Sequence, residues 1–158
     1  MSHILDPCCG SRMFWFDKSD QRGLFGDHRS ESHTLCDGRV LNVRPSVLMD
    51  FRKLPFRPST FQLVVFDPPH LIHAGQHSWL RAKYGALDKH DWRNTITLGF
   101  DECFRVLKDG GVLIFKWNEI QIPVADVLAC TTHKPLFGHP SGKRGRTHWM
   151  TFMKESQP

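Results

Sequence analysis

The sequence predicts an α/β fold built on a mostly parallel sheet, and three observations predict it. Short apolar runs rich in Val, Ile, Leu and Phe recur along the first half of the chain and read as buried strands. Four of these runs end in an acid, namely Asp6, Asp27, Asp50 and Asp67. A clear helical period appears only later, where Lys108-Asp109-Gly110-Gly111 stops it. Parallel strands of one sense gather their carboxyl ends at one rim, where open α/β sheets bind ligands. Four successive acids on that rim point to a built site.

His3 to Asp6 is a very short first strand. Pro7-Cys8-Cys9-Gly10-Ser11-Arg12 then makes a small-residue turn, and Met13-Phe14-Trp15-Phe16 reads as the start of a helix. Such a loop lets backbone N–H groups approach a ligand, although one glycine alone fits a plain strand-to-helix turn equally well. Gly23 to Asp27 is the second strand. Its acid stands about twenty residues past the loop, the offset at which nucleotide-binding α/β folds hold ribose hydroxyls; a turn-forming aspartate explains Asp27 taken alone. Residues 28–45 are polar, with a turn at Asp37-Gly38. Ser46 to Asp50 is the third strand, ending in its acid and followed by Phe51.

Phe61 to Phe66 is the fourth strand, and Asp67-Pro68-Pro69-His70 ends it. Proline cannot donate to a ladder and restricts the residue before it. A carboxylate and a stiff turn therefore sit at the carboxyl end of a central strand. Leu71 to Asp91 is a long polar stretch without a clear period, a length usually functional or mobile. Thr95 to Leu107 is a helix, with Asp91 or Asn94 as its cap. Gly111 to Trp117 is a buried fifth strand and Pro123 to Cys130 another helix. Lys134 to Gly138 and His148 to Met153 are the last two strands. Between them, residues 140–147 form a hairpin loop carrying Lys143, Arg144 and Arg146.

The 158 residues suit one domain spanning residues 1–158, without a separate target-recognition domain. A net charge of +5 is compatible with an anionic partner such as nucleic acid and equally with a solubilising surface. The five cysteines contain no C-x-x-C pair, no leader pattern precedes the first strand, and no apolar run approaches a membrane span. A reducing, cytoplasmic setting and no membrane partner are expected. His70, His73 and His77 lack an accompanying cysteine and predict no metal site.

Asp6-Pro7-x-x-Gly10 followed by Asp67-Pro68-Pro69-His70 resembles motifs I and IV of the class I S-adenosylmethionine-dependent methyltransferases that act on exocyclic amino groups. More narrowly the chain is similar to the small phage- and prophage-type adenine-N6 DNA methyltransferases, of bacterial or phage-infected cells. The resemblance implies a Rossmann-like, seven-stranded sheet in the order 3-2-1-4-5-7-6, its last strand antiparallel, with helices on both faces. It implies that S-adenosyl-L-methionine is the cofactor. Asp6, Pro7, Cys8, Gly10 and Ser11 would contact its methionine part, Asp27 the ribose, and Asp50 with Phe51 the adenine. Asp67, Pro68, Pro69 and His70 would hold the target base.

The chemistry explains the motif. The amino nitrogen of adenine has its lone pair delocalised into the ring. The Asp67 carboxylate and the Pro68 carbonyl can each accept one N–H and draw the nitrogen toward tetrahedral geometry, freeing the lone pair. The fourth residue offers a face for the base to stack on, and duplex DNA requires that base to be flipped out. Carbon-5 methylation of cytosine would need a cysteine after the fourth strand, and none stands there. Two positions depart from the pattern. His70 replaces the usual Tyr, Phe or Trp, and its protonation would bring pH dependence; Arg12 replaces a small residue of motif I. Lys116, Trp117, Lys143, Arg144, Arg146 and His148 are candidates for nucleic-acid contact. DNA is favoured over RNA as partner, with low sequence specificity. A catalytically silent nucleic-acid-binding subunit is the alternative of another class, and the sequence leaves a homodimer open.

Overall fold

The computed structural model describes residues 2–75 and 78–156. Seven strands form the main sheet: β1 (Ile4–Asp6), β2 (Gly23–Asp27), β5 (Val47–Leu48), β6 (Phe61–Phe66), β7 (Leu107–Asn118), β8 (Phe137–Ser141) and β9 (Thr147–Met153). Their spatial order is β5-β2-β1-β6-β7-β9-β8. β1, β2, β5, β6 and β7 pair in parallel, and β9 runs antiparallel to both β7 and β8. Counting main-sheet strands along the chain, this is the order 3-2-1-4-5-7-6. A separate hairpin, β3 (Glu31–Thr34) with β4 (Val40–Val43), follows β2. Helices α1 (Trp79–Tyr84), α2 (Trp92–Val106) and α3 (Val124–Leu128) complete the described elements.

The core follows from period. Along α2, Ile96, Phe100, Cys103 and Phe104 share one face and are buried. Phe100 packs against Phe66 of β6, Phe115 of β7 and Phe152 of β9, with ring centroids 5.6, 4.8 and 5.9 Å away. Burying each such side chain contributes about 1.5–3 kcal/mol. Gly99 lets the helix approach this closely, because a Cβ there would meet Phe66 Cζ at 2.6 Å. β7 alternates: Phe115 and Trp117 face the core, while Lys116 and Asn118 face the other side.

Several local expectations are corrected. Residues 13–16 do not begin a helix. Phe14 and Trp15 fold down instead, edge-on to Trp149 at 5.6 Å and to Phe25 at 4.8 Å. Asp17 and Asp20 then take the backbone N–H groups of Ser19 and Arg22, which competes with helical pairing. The polar 28–45 stretch contains the β3–β4 hairpin, turned at Gly38, whose φ is +81°. The Lys108 to Gly111 stop is a bulge inside β7. Phe61 pairs with Leu107 and Leu63 with Val112, so two steps on β6 span five on β7. The sixth strand lies at Phe137–Ser141 and not at 134–138, because it pairs with β9 from Phe137↔Thr151 to Ser141↔Thr147. α1 lies within the stretch that shows no period. Among the described residues no helix is long and apolar enough to cross a membrane.

Candidate active site

The carboxyl ends of β1, β2 and β6 open onto one cleft. The loop from Cys8 to Ser11, together with Asp27, Phe51 and the Asp67-Pro68-Pro69-His70 turn, lines it. The loop is drawn under the second strand end: Cys9 N–H donates to the Gly26 carbonyl at 2.8 Å, and Gly10 N–H donates to Asp27 Oδ2 at 3.0 Å. Gly10 has φ +50°, and a Cβ on it would meet nothing within 4 Å, so this side of the loop faces open space. Arg12, at φ +55°, does not line the cleft. Its guanidinium lies 3.8 Å over the Phe25 ring and donates to the carbonyls of Lys18 and Arg44. The position favours glycine for its backbone angle, and arginine accepts it as an external clamp.

Three of the rim acids have distinct settings. Asp27 is buried and also accepts the Arg29 backbone N–H at 2.9 Å. Asp50 does not line the cleft; its carboxylate is chelated by Arg52 at 2.6–3.0 Å and held below the usual carboxylate range by that contact, leaving Phe51 as the cleft residue of the pair. Asp6 is fully buried. Trp15 Nε1–H donates to its Oδ2 at 2.8 Å, and Oδ1 has no partner among the described residues. Burial, with a smaller push from Asp67, raises its pKa from 3.8 to about 7, against the lowering by Trp15.

That burial predicts a pH signature. A carboxyl whose folded pKa exceeds its unfolded one holds its proton more tightly when folded. The stability it contributes is complete below about pH 4 and is lost as pH rises through about 7. Asp6→Asn should remove this loss. The gap in Tm between Asp6→Asn and wild type is expected to widen in favour of the variant from pH 5 to pH 8 by calorimetry; a constant gap would refute the burial account.

A second cleft opens on the other side of the β6 turn. Asp67, His70 and Tyr84 line both clefts, and Leu80, Lys116, Asn118 and Thr147 line the second alone. Lys116 Nζ–H donates to Asp67 Oδ2 at 3.1 Å. Burial raises the Asp67 pKa, and the Lys116 ammonium opposes this. His70 is flanked by Tyr84 at 5.1 Å and by Trp117 at 6.2 Å. Burial first, then repulsion by Lys116, lowers its pKa to about 4. The imidazole is therefore neutral near neutrality, and the expected pH dependence from its protonation is corrected. No hydrogen bond to the Pro68 carbonyl is present among the described residues.

Tyr84 is the residue that sequence reasoning missed. It is the single tyrosine of the chain and ends α1. Gly85, at φ +74°, lets the helix end lie against the turn; a Cβ there would meet Pro69 Cγ at 3.1 Å. Leu87 N–H donates to the Leu71 carbonyl at 2.8 Å and closes the segment behind it. The only sequence signal was an aromatic, one of two with Trp79, in the long stretch after His70.

The nucleic-acid candidates separate. Trp117 is 1% exposed and its Nε1–H donates to the Ile122 carbonyl at 3.0 Å, so it belongs to the core, supporting His70 from below. Lys116 belongs to the second cleft. Lys143, Arg144 and Arg146 are exposed on a 3₁₀ turn whose next residue, Thr147, lines that cleft. His148 Nε2 lies 2.9 Å from Glu119 Oε1, which holds that carboxyl below its usual range. His77 lies outside the described residues.

No family model matches the chain, and no curated protein matches it. Solved structures do. A protein of Pyrococcus horikoshii has a TM-score of 0.62 at 14% identity, over 96% of this chain and 81% of that one. A TehB-like S-adenosylmethionine-dependent methyltransferase of Corynebacterium glutamicum gives 0.59 at 16%, over 96% and 79%. The 1,6-didemethyltoxoflavin-N1-methyltransferase of Burkholderia thailandensis, with 1,6-didemethyltoxoflavin and S-adenosylhomocysteine bound, gives 0.54 at 11%, over 97% and 71%. At such identities the likeness is one of fold. The sheet order, its antiparallel seventh strand and these neighbours together establish that the chain has the Rossmann-like fold of S-adenosylmethionine-dependent methyltransferases.

Proposed function

We propose that the protein transfers a methyl group from S-adenosylmethionine to an exocyclic amino nitrogen, that of adenine in DNA, with low sequence specificity. One observation carries the reading: Asp67, at the end of the central strand, stands in the wall between two clefts. A two-substrate transfer needs its acceptor-polarising group there.

The first cleft fits the cofactor. The Cys8 to Ser11 loop lines it and is open at Gly10, where a Cβ would meet nothing within 4 Å. That loop, Asp27 and Phe51 would hold it; when bound it supplies an activated methyl group. The protein's own part is positioning and electrostatics. Asp67 accepts one amino N–H and the Pro68 carbonyl the other. The neutral His70 and Tyr84 offer flat faces to the base. As the nitrogen gained its bond to the methyl carbon, whose bond to the donor sulfur would break with its electron pair staying on sulfur, its displaced proton would leave toward Asp67 or water.

Incubation with labelled cofactor and a panel of duplex DNA, single-stranded DNA and RNA, followed by nucleoside analysis, tests the reading. Label on N6-methyladenine in DNA supports it; label only on RNA selects the closest alternative; no transfer refutes it. The basic turn beside the second cleft supports a polyanionic substrate over a small molecule. Alanine at Lys143, Arg144 and Arg146 together is expected to weaken binding and lower the salt slope by up to about 0.9 per lost contact on duplex DNA. An unchanged slope would make the turn a solvated hairpin tip.

A further inference from the structure

Lys116 has a setting that phosphate contact does not explain. It sits on the cleft face of β7, with only a fifth of its side chain exposed. Its ammonium lies 5.5 Å from the ring centres of both Phe14 and Trp149. Two aromatic faces on one side and a carboxylate on the other hold it in place. An ammonium has three N–H donors and a carboxylate two acceptor oxygens. Among the described residues the only hydrogen bond either group makes is the one between Lys116 Nζ and Asp67 Oδ2. The pair therefore keeps two N–H donors and one carboxylate oxygen, Oδ1, free beside the second cleft. Of the other polar groups there, Gln121 Oε1 accepts the N–H groups of Ile72 and His73, and Asn118 is engaged by Thr147 and Ile120. Tyr84 and His70 are the other titratable side chains lining this cleft among the described residues, and His70 is neutral near neutrality.

We propose that Asp67 and Lys116 together read the edge of a base on which an amino group stands next to an unprotonated ring nitrogen. This rests on the amino-methylation reading above. Asp67 accepts the amino N–H, and Lys116 donates to the adjacent ring nitrogen. Adenine and cytosine both have this edge. On its Watson–Crick edge guanine does not: there its amino group neighbours a ring N–H, which an ammonium repels, and its unprotonated neighbour, N3, lies on the sugar side. Lys116 is thus a specificity-determining residue. Its contact also withdraws it partly from Asp67 when the base arrives, leaving the carboxylate freer to polarise the amino group.

Single-stranded oligomers of deoxyadenosine and of 1-deazadeoxyadenosine, which lacks only that ring nitrogen, test the contact. Oligomers of deoxycytidine and 3-deazadeoxycytidine form the second arm. Both kcat/KM for labelled methyl transfer and the dissociation constant by fluorescence anisotropy without cofactor are measured, for wild type and Lys116→Met. Wild type is expected to prefer the parent base by about 10- to 100-fold in transfer, as for a two-point base contact. Its binding should shift the same way, and Lys116→Met should be slow on both and no longer distinguish them. The arm in which this occurs identifies the base. Wild type that treats parent and deaza bases alike overturns the contact while leaving amino methylation standing, and this outcome needs no folded variant. Discrimination that persists in Lys116→Met also overturns it. No transfer to any of these DNA oligomers overturns the reading of amino methylation of DNA, and the contact with it.

Discussion

Asp67→Ala is expected to lower methyl transfer about a thousandfold, the scale of losing a pre-organised electrostatic partner in a closed site. The loss should fall on turnover more than on cofactor affinity, because the Cys8 to Ser11 loop, Asp27 and Phe51 remain in place. The fold should survive. Burial already raises the Asp67 pKa, so its carboxylate is held at an energetic cost. Lys116, released from it, keeps its two aromatic neighbours. Asp67→Asn retains a carbonyl acceptor and should keep part of the rate. Single-turnover transfer with labelled cofactor, beside calorimetric cofactor binding, checks both; wild-type turnover in Asp67→Ala would overturn the mechanism. In wild type, activity should fall as pH drops and Asp67 gains its proton.

Trp117→Ala is expected to cost about 3–5 kcal/mol, the usual range for emptying a large aromatic site. Domains of this kind are stable by about 5–15 kcal/mol in all, so the variant should stand near unfolding at ordinary temperature. The ring is stacked 6.0 Å from Phe115, and its N–H satisfies the Ile122 carbonyl. Trp117→Phe keeps most of the volume and loses the hydrogen bond, for about 1 kcal/mol. Urea unfolding measures both. A Trp117→Ala variant as stable as wild type, with a reduced salt slope on DNA, would return this residue to the nucleic-acid surface.

Trp117 and Lys116 also show where sequence reasoning stops. Adjacent on one strand, they point to opposite faces, and the alternation of β7 is visible in the sequence. Which face is core depends on what packs there: α2 on one side, Phe14 and Trp149 on the other. Arg12 is a similar case. Its departure from glycine was legible, but its place outside the cleft depends on Phe25, Lys18 and Arg44, which folding brings to it.

The sequence by itself determined the parallel strands, the acids at their ends and the proline-stiffened turn at Asp67. These features are local: short apolar runs, prolines and turn residues act over a few neighbours. The sheet order entered through the family resemblance, and the strand pairing bears it out. Tertiary structure alone decided which acids serve the cleft, turning Asp50 to Arg52 and burying Asp6 beneath Trp15. It alone brought Tyr84 to His70 and Lys116 to Asp67. Those partners stand 14 and 49 positions apart in the chain (84 − 70 and 116 − 67). No local pattern encodes such distances; the packing of one sheet does.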